Sequence, residues 1–332
     1  TVVMLPIAIS VIKLLIDDKD GFTKGDKNFA LSIMLGIAFS ANAGGIATVI
    51  GTPPNSVLIG LLENQYNIEI SFLKWMSFGL PFSIVMVGLS YVVLVKWMFP
   101  CNHINFSSSS SLISEEIQQL GKITKDEKRV LTIFAITVFL WVTRTIINAI
   151  FPGLKLSDTG ISLMAAISLF AIPLSFKKGT FILKWNDTEK LAWGVLILFG
   201  GGLALAKGMA TSGLVDLITD TIATGNFNVV LTVSLLIVLM LFMTELMSNV
   251  ALVSVLAPVV AGIAVGLNIP ILNVLIPVTM ASSCAFMLPM ATPPNAIVFA
   301  SGYVKVSQMA RVGIILNVLA VALLILYYQF VI

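Results

Sequence analysis

Apolar residues occupy most of the chain, in stretches long enough to form membrane-spanning helices. A hydrocarbon core needs about 20 apolar residues for each helical crossing, and these stretches allow about six to eight crossings. Ordinary spans are predicted at 75–99, 129–151, 158–175 and 312–332. The pattern therefore predicts an all-α polytopic membrane protein.

Two of the apolar stretches contain a pair of prolines at the presumed depth of the membrane. The stretch 28–62 carries the string GGIATVIGTPPN, and the stretch 270–300 carries MATPPN. A continuous helix cannot contain Pro53 and Pro54 at this depth without losing backbone hydrogen bonds. Both stretches are therefore predicted to be broken helices.

A third apolar stretch, 228–266, is longer than one crossing needs. Polar residues interrupt it at Thr244-Glu245 and again at Ser248-Asn249. Two half-crossings that meet at a polar tip explain this pattern better than one helix. Residues 1–16 are too short to span alone and are predicted to be the second arm of a similar hairpin, whose first arm would precede Thr1.

The composition excludes a soluble domain. Of 332 residues, 58% are hydrophobic and 11% are charged, whereas soluble domains carry about 25% charged residues. If the two hairpins are re-entrant, the loops 17–27, 96–129, 176–190 and 301–311 hold 14 of the 19 Lys and Arg residues. The positive-inside rule then places these loops in the cytoplasm. The net charge of +3 thus reflects the membrane topology and does not indicate a nucleic-acid-binding surface. We therefore expect a multi-pass protein of the plasma (cell inner) membrane, with the lipid bilayer as its partner.

Two other function classes, an intramembrane enzyme and a channel, fit the residues less well. An intramembrane enzyme would need a nucleophile with a base, or metal ligands at helical spacing, and Cys101, Cys284 and His103 form neither. The chain also lacks the HExxH and GxSxG motifs. A channel would share the broken helices, but selectivity filters are usually symmetric rings. The prediction is therefore that the protein is not an enzyme.

The two proline pairs belong to an internal repeat. Residues 51–55, Gly-Thr-Pro-Pro-Asn, align with residues 291–295, Ala-Thr-Pro-Pro-Asn, at an offset of 240. Broken helices at matching positions of two repeats indicate the midplane site of a secondary transporter. Carbonyl groups freed by the breaks can bind a cation, and exposed helix N-termini can bind an anion. Prolines that merely kink two helices are the alternative, but kinks would not require a matched Thr and Asn.

The strings ANAGGIATVIGTPPN, TELMSNVALVSVLAP and MATPPNAIVFASG resemble those of the divalent anion/sodium symporter family over nearly the whole chain. The resemblance implies an inverted-repeat ion-transporter fold with two re-entrant hairpins and two broken helices, elevator movement and a homodimer. It also implies four segments: the remainder of the first repeat at 1–99, a cytoplasmic linker at 100–128, scaffold spans at 129–227, and a hairpin, broken helix and last span at 228–332. The first and last segments would form the transport domain.

The same resemblance implies the residues of the binding site. One implied sodium site has the ligands Thr244, Met247, Asn249 and Ala291, and Gly51 is an implied ligand of a second sodium site. The implied substrate contacts are Ser248, Asn249, Val250, Thr292, Pro293, Thr52 and Pro53. Val250 stands where many members of the family have the Thr of an SNT motif, which removes one hydroxyl. The first SNT motif would precede Thr1, so the other sodium site is expected to be incomplete in these residues.

Together these features predict sodium-coupled symport of a small divalent anion, such as the C4 dicarboxylate succinate, with Na⁺ as the coupling ion. Because no Lys or Arg lies near the motifs, a dianion would need cations or many donors to offset its desolvation. A sodium-independent dicarboxylate exchanger of the same family is the alternative.

Five charged residues within the apolar stretches are further candidates, because an ionisable group at membrane depth suggests function. They are Arg144, Lys207, Asp216, Asp220 and Glu245. Glu245 either tunes the sodium site or holds the hairpin, and the other four are expected to form pairs or to extend to the interface.

Overall fold

The structure is a computed structural model that describes residues 1–16, 23–100, 122–175, 180–190, 193–225 and 228–330. These residues are helical almost throughout, which confirms the predicted all-α class. Most of the predicted linker 100–128, with Cys101 and His103, lies outside the described residues.

In chain order, the α-helices and strands are α1 (Met4–Ile16), α2 (Lys24–Gly45), α3 (Pro53–Tyr66), α4 (Phe72–Tyr91), α5 (Lys125–Ile150), α6 (Asp158–Ala171), β1 (Pro173–Ser175), β2 (Thr180–Phe181), α7 (Trp193–Thr211), α8 (Leu214–Thr224), α9 (Val229–Thr244), α10 (Asn249–Gly266), α11 (Ile271–Ser282), α12 (Pro293–Ala300) and α13 (Val306–Phe330). A π-helix, Val92–Met98, continues α4. A 3₁₀-helix, Trp185–Lys190, follows the antiparallel pair β1–β2.

Both proline pairs start a helix. Pro53 and Pro293 are the first residues of α3 and α12, a position where the missing N–H has no intrahelical partner to lose. The residues before them, Thr52 and Thr292, are in the extended conformation and occupy the N-cap positions of these helices. The predicted breaks are thereby confirmed, between α2 and α3 and between α11 and α12.

The stretch 228–266 forms two helices, α9 and α10, which are separated by residues 245–248. Both helices pack against α11 and also against each other. This agrees with a helical hairpin that has a polar tip. That the hairpin re-enters the membrane from one side stays a prediction.

The two broken helices pack on each other in a crossed manner. The second half of one helix, α12, packs against α2, and the second half of the other, α3, packs against α11. These two contacts are equivalent under the internal repeat. The crossing therefore brings the two breaks together in the same compact unit.

That first compact unit contains α1–α3, most of α4, and α7–α13, while the second contains α5, α6, the two strands and residues 70–75. Helices α7 and α8, which lie in the predicted scaffold segment 129–227, thus belong to the unit that holds the breaks. The division into transport and scaffold domains stays a prediction.

Helices α7 and α8 pack closely on α10 through glycines. A Cβ atom on Gly202 would collide with Ser254, and one on Gly266 would lie 2.6 Å from the carbonyl oxygen of Thr219. Small residues allow this approach between helices in a membrane.

An ion pair stabilises the second unit. Arg144 Nε lies 3.2 Å from Asp158 Oδ1, and the backbone N–H of Phe72 donates to Asp158 Oδ2 at 3.1 Å. Trp141 stacks on Phe72, with 5.1 Å between the ring centroids. Arg144 is therefore paired, as predicted.

Among the described residues, four helical segments are long and apolar enough to cross a membrane: Phe72–Met98, Lys125–Ile150, Asn249–Gly266 and Val306–Phe330. Helices α7 and α8, bent by 61° at Ser212-Gly213, would make a fifth span if they cross together. The apolar stretches suggested more crossings because several contain shorter helices. Among these are α6, α9 and α11, of 14, 16 and 12 residues.

Candidate functional site

The asparagine of each TPPN string forms side-chain hydrogen bonds to the backbone of the break that precedes it. Asn55 Nδ2 donates to the carbonyl oxygens of Thr48 at 2.8 Å and Gly45 at 3.4 Å, seven and ten residues earlier. Asn295 Nδ2 donates to Leu288 at 3.1 Å and Ala285 at 3.0 Å, again seven and ten residues earlier. The internal repeat therefore extends from the residue types to the hydrogen bonds that shape the two breaks.

The glycine of GTPPN has a steric role in the first break. A Cβ atom on Gly51 would collide with the carbonyl oxygen of Gly45, at the end of α2. The two ends of the break approach each other this closely because position 51 has no side chain.

Three oxygen atoms converge at the tip of the hairpin. The hydroxyl oxygen of Thr244 lies 2.9 Å from Asn249 Oδ1 and 2.7 Å from the carbonyl oxygen of Ser282. Thr244 and Ser282 are completely buried. The Thr244 hydroxyl has one hydrogen to donate, and all three oxygens can act as ligands of a small cation. The structure therefore brings together two of the predicted sodium ligands and adds the Ser282 carbonyl.

Glu245, the next residue, links three elements. Its Oε1 accepts hydrogen bonds from the backbone N–H groups of Phe286 and Met287, both at 2.9 Å, and its Oε2 accepts one from Leu288 at 3.0 Å. The side-chain amide of Asn317, in α13, donates to Oε1 at 2.7 Å. No Lys or Arg pairs with Glu245 in the described part of the chain. The carboxylate thus fastens the hairpin tip to the second break, which is the holding role that the sequence left open.

The predicted substrate residues stand at three helix N-termini. Thr52, Ser248 and Thr292 are the N-caps of α3, α10 and α12. The hydroxyl of Thr292 accepts from the N–H of Asn295, whereas those of Thr52 and Ser248 make no capping hydrogen bond. A helix N-terminus presents N–H groups and a positive dipole end to an anion.

The predicted site residues differ in exposure. The exposed ones are Gly51, Pro53, Met247, Ser248 and Pro293. The half-buried ones are Thr52 and Asn249. The buried ones are Thr244, Val250, Ala291 and Thr292. Val250 is 8% exposed, so little of its side chain faces outward within the described residues.

Sequence reasoning assigned no role to the buried asparagines that shape this region. They are Asn42, Asn55, Asn295 and Asn317. Asn42 Nδ2 donates to Asn295 Oδ1 at 2.9 Å and to the Ala285 carbonyl at 3.1 Å. An amide within an apolar stretch is a visible signal, because a buried polar group needs partners, but the identity of those partners required the fold.

The remaining charged candidates lie on α7 and α8. Lys207 and Asp216 line a cavity of about 570 Å³ together with Asn64, Gln65 and Tyr66 at the end of α3. Asp220 is exposed on α8.

The chain is similar to known proteins over almost all of its length. The family described as "Sodium:sulfate symporter transmembrane region" matches residues 1–330. The "Sodium-dependent dicarboxylate transporter SdcS" of Staphylococcus saprophyticus is 35% identical over 99% of this chain and 64% of its own length. The protein of that name from Staphylococcus aureus strain USA300 is 36% identical over 99% of the chain and 64% of its own length. The chain thus spans less than two thirds of the length of these curated relatives.

These matches bear on three predictions. A family of symporters confirms that the chain does not belong to an enzyme, and a family defined on a transmembrane region confirms an integral membrane protein. The bacterial relatives agree with the predicted location in the plasma membrane. Because the match covers almost every residue and includes both TPPN strings, the chain belongs to the sodium:sulfate symporter family, that of the divalent anion/sodium symporters.

Proposed function

We propose that the protein is a secondary active transporter that couples sodium entry to the uptake of a small divalent anion. The relatives named as sodium-dependent dicarboxylate transporters support a dicarboxylate as the substrate class, and we propose a C4 dicarboxylate such as succinate. Elevator movement and a homodimer, both implied by the family resemblance, belong to the same proposal.

The observation that carries this proposal is the position of Asn249. Its side-chain oxygen belongs to the cluster with Thr244 and the Ser282 carbonyl, and its backbone begins α10 directly after Ser248. One residue therefore adjoins both a group of cation ligands and a helix N-terminus. This arrangement favours binding of a cation and an anion side by side.

The sodium ion would be held by oxygen atoms alone. Asn249 Oδ1 and the Ser282 carbonyl oxygen each lie within hydrogen-bond distance of Thr244 Oγ1. Backbone carbonyls of Met247 and Ala291 would complete the set. Hard cations prefer oxygen ligands such as these.

The anion would be bound without any basic side chain. The sequence has no Lys or Arg at 28–73 or at 208–304, the segments that contain both breaks and the hairpin. Helix N-termini and the hydroxyls of Thr52, Ser248 and Thr292 provide donors, but a dianion removed from water requires further compensation. Bound sodium supplies that positive charge.

Coupling follows from this electrostatic requirement. Sodium binding orients Asn249 and neutralises part of the substrate charge, so the anion binds well only to the sodium-loaded site. The two ligands then raise each other's affinity by the same factor. A sodium gradient thereby drives the movement of the anion.

The test is uptake of labelled succinate by proteoliposomes that contain the protein, with an inward gradient of either sodium or potassium. We expect uptake with sodium, and loss of nearly all of it in Asn249→Ala. The matched control is Asn64→Ser, since Asn64 lies exposed on α3 and, among the described residues, donates a hydrogen bond to Gly60 one turn earlier.

Two results would overturn the proposal. Equal uptake in sodium and potassium would indicate the sodium-independent exchanger instead. Uptake by Asn249→Ala above half that of the unsubstituted protein would remove Asn249 from the site.

A further inference from the structure

Asn42 connects the first repeat to the break of the second. It lies on α2, three residues before Gly45 ends that helix, and is 7% exposed. Of its two acceptors, the Ala285 carbonyl lies within the second break and Asn295 Oδ1 lies in the first turn of α12, which follows the break. The edge-to-face contact of Phe39 with Phe286, at 5.3 Å between centroids, adds an apolar contact between the same two elements.

The acceptors of Asn42 are the groups that shape the second break. Asn295 itself donates to Ala285 and Leu288, and the N–H of Leu288 donates to Glu245. The segment held in this way leads into Ala291 and Thr292. A loss of the Asn42 amide would therefore loosen the backbone that precedes both residues.

In the described part of the chain, the first break has no counterpart of this bond. Position 282 is equivalent to position 42, and the Ser282 hydroxyl donates to the carbonyl of Thr279 at 2.7 Å, within its own helix. Asn55 Oδ1, the equivalent of Asn295 Oδ1, is completely buried and has no hydrogen-bond donor among the described residues. Among the described residues, the side chain at position 42 therefore bonds to the other repeat, whereas the side chain at the equivalent position 282 bonds only within its own helix.

We propose that Asn42 is a positioning residue that holds the second break in the conformation that binds sodium and the anion. This inference rests on the proposed function. It assigns to a residue of the first repeat an effect on the binding groups of the second repeat.

The first experiment measures uptake as a function of sodium and of succinate concentration in Asn42→Ser, which places at position 42 the residue found at position 282. We expect the concentrations for half-maximal uptake to rise by about fivefold, as the loss of a buried hydrogen bond implies, with the maximal rate largely retained. Asn64→Ser is the matched control and should leave both concentrations unchanged. Asn42→Ala, which also removes the amide and adds no charge, gives the same comparison if Asn42→Ser does not fold.

The second experiment separates the two breaks by double-mutant cycles. Asn42→Ser is combined with Thr292→Ala in one cycle and with Thr52→Ala in the other, and the succinate concentration for half-maximal uptake is measured. We expect the effects to be non-additive with Thr292→Ala and additive with Thr52→Ala.

The outcomes distinguish the inference from the proposed function. If the unsubstituted protein shows no sodium-dependent uptake, the proposed function fails. If it does show such uptake, unchanged half-maximal concentrations in Asn42→Ser would overturn the inference, and so would coupling to Thr52 instead of Thr292. A lower amount of folded protein with unchanged half-maximal concentrations would show that Asn42 only stabilises the fold.

Discussion

The side-chain amide of Asn317 donates a 2.7 Å hydrogen bond to Glu245 Oε1, and so ties α13 to the tip of the α9–α10 hairpin. Four residues earlier on α13, a Cβ atom on Gly313 would lie 2.5 Å from Met287 Cα. The last helix thus contacts both the carboxylate and the backbone segment that the carboxylate binds. Glu245 is thereby held from two sides in a buried position.

We expect Glu245→Gln to destabilise the protein by about 3 kcal/mol, because a buried network of charge-assisted hydrogen bonds loses its charge. The single oxygen of glutamine can accept hydrogen bonds from only some of the four donors, which are three backbone N–H groups and the Asn317 amide. The NH₂ group of glutamine would face the remaining donors instead of acceptors. Thermal unfolding of the purified protein in detergent measures the effect. Glu63→Gln, on the exposed surface of α3, is the control, and an equal unfolding temperature for the two variants would contradict the role given to Glu245.

Gly51→Ala should abolish sodium-dependent uptake and lower the thermal stability. The new methyl group would occupy the space of the Gly45 carbonyl oxygen, so the first break cannot keep its shape. Gly44→Ala is a close control, because a Cβ atom at position 44 meets no atom within 4 Å in the described structure. Normal uptake by Gly51→Ala would show that the break tolerates a different backbone path.

Gly202→Ala should weaken the packing of α7 on α10, since its Cβ atom would collide with Ser254. Overpacking of this kind typically costs about 1–3 kcal/mol. Gly201→Ala places the same methyl group where no described atom lies within 4 Å. The unfolding temperatures of the two variants are compared; no difference between them would mean that α7 and α10 do not pack at this point.

Thr292→Ala should raise the succinate concentration for half-maximal uptake and leave the maximal rate less affected. Thr292 caps α12 through its hydroxyl, which accepts from the N–H of Asn295 at 3.4 Å, and it stands at one of the N-termini proposed to bind the anion. Concentration curves at saturating sodium provide the measurement. An unchanged curve would remove Thr292 from the substrate site.

The sequence alone predicted the helical membrane class, both breaks and the polar tip of the hairpin. Each of these features depends on residues that are close together in the sequence. Pro53 and Pro293 cannot continue a helix, and the polar residues between Thr244 and Asn249 interrupt an otherwise apolar stretch. The recurrence of the TPPN string at an offset of 240 residues also revealed the internal repeat from the sequence alone. The family motifs named the residues of the site in the same way, and their binding roles stay predictions.

Only the tertiary structure decided how the repeats are joined. The partners of Asn42 are 243 and 253 residues away, those of Glu245 include backbone N–H groups 41 to 43 residues away, and the Thr244 hydroxyl reaches a carbonyl 38 residues away. A sequence shows that such buried polar groups need partners, but main-chain donors and acceptors are present at every residue and carry no signature. Which of them is used depends on the crossing of the two broken helices, because packing alone brings those backbone groups within hydrogen-bond distance.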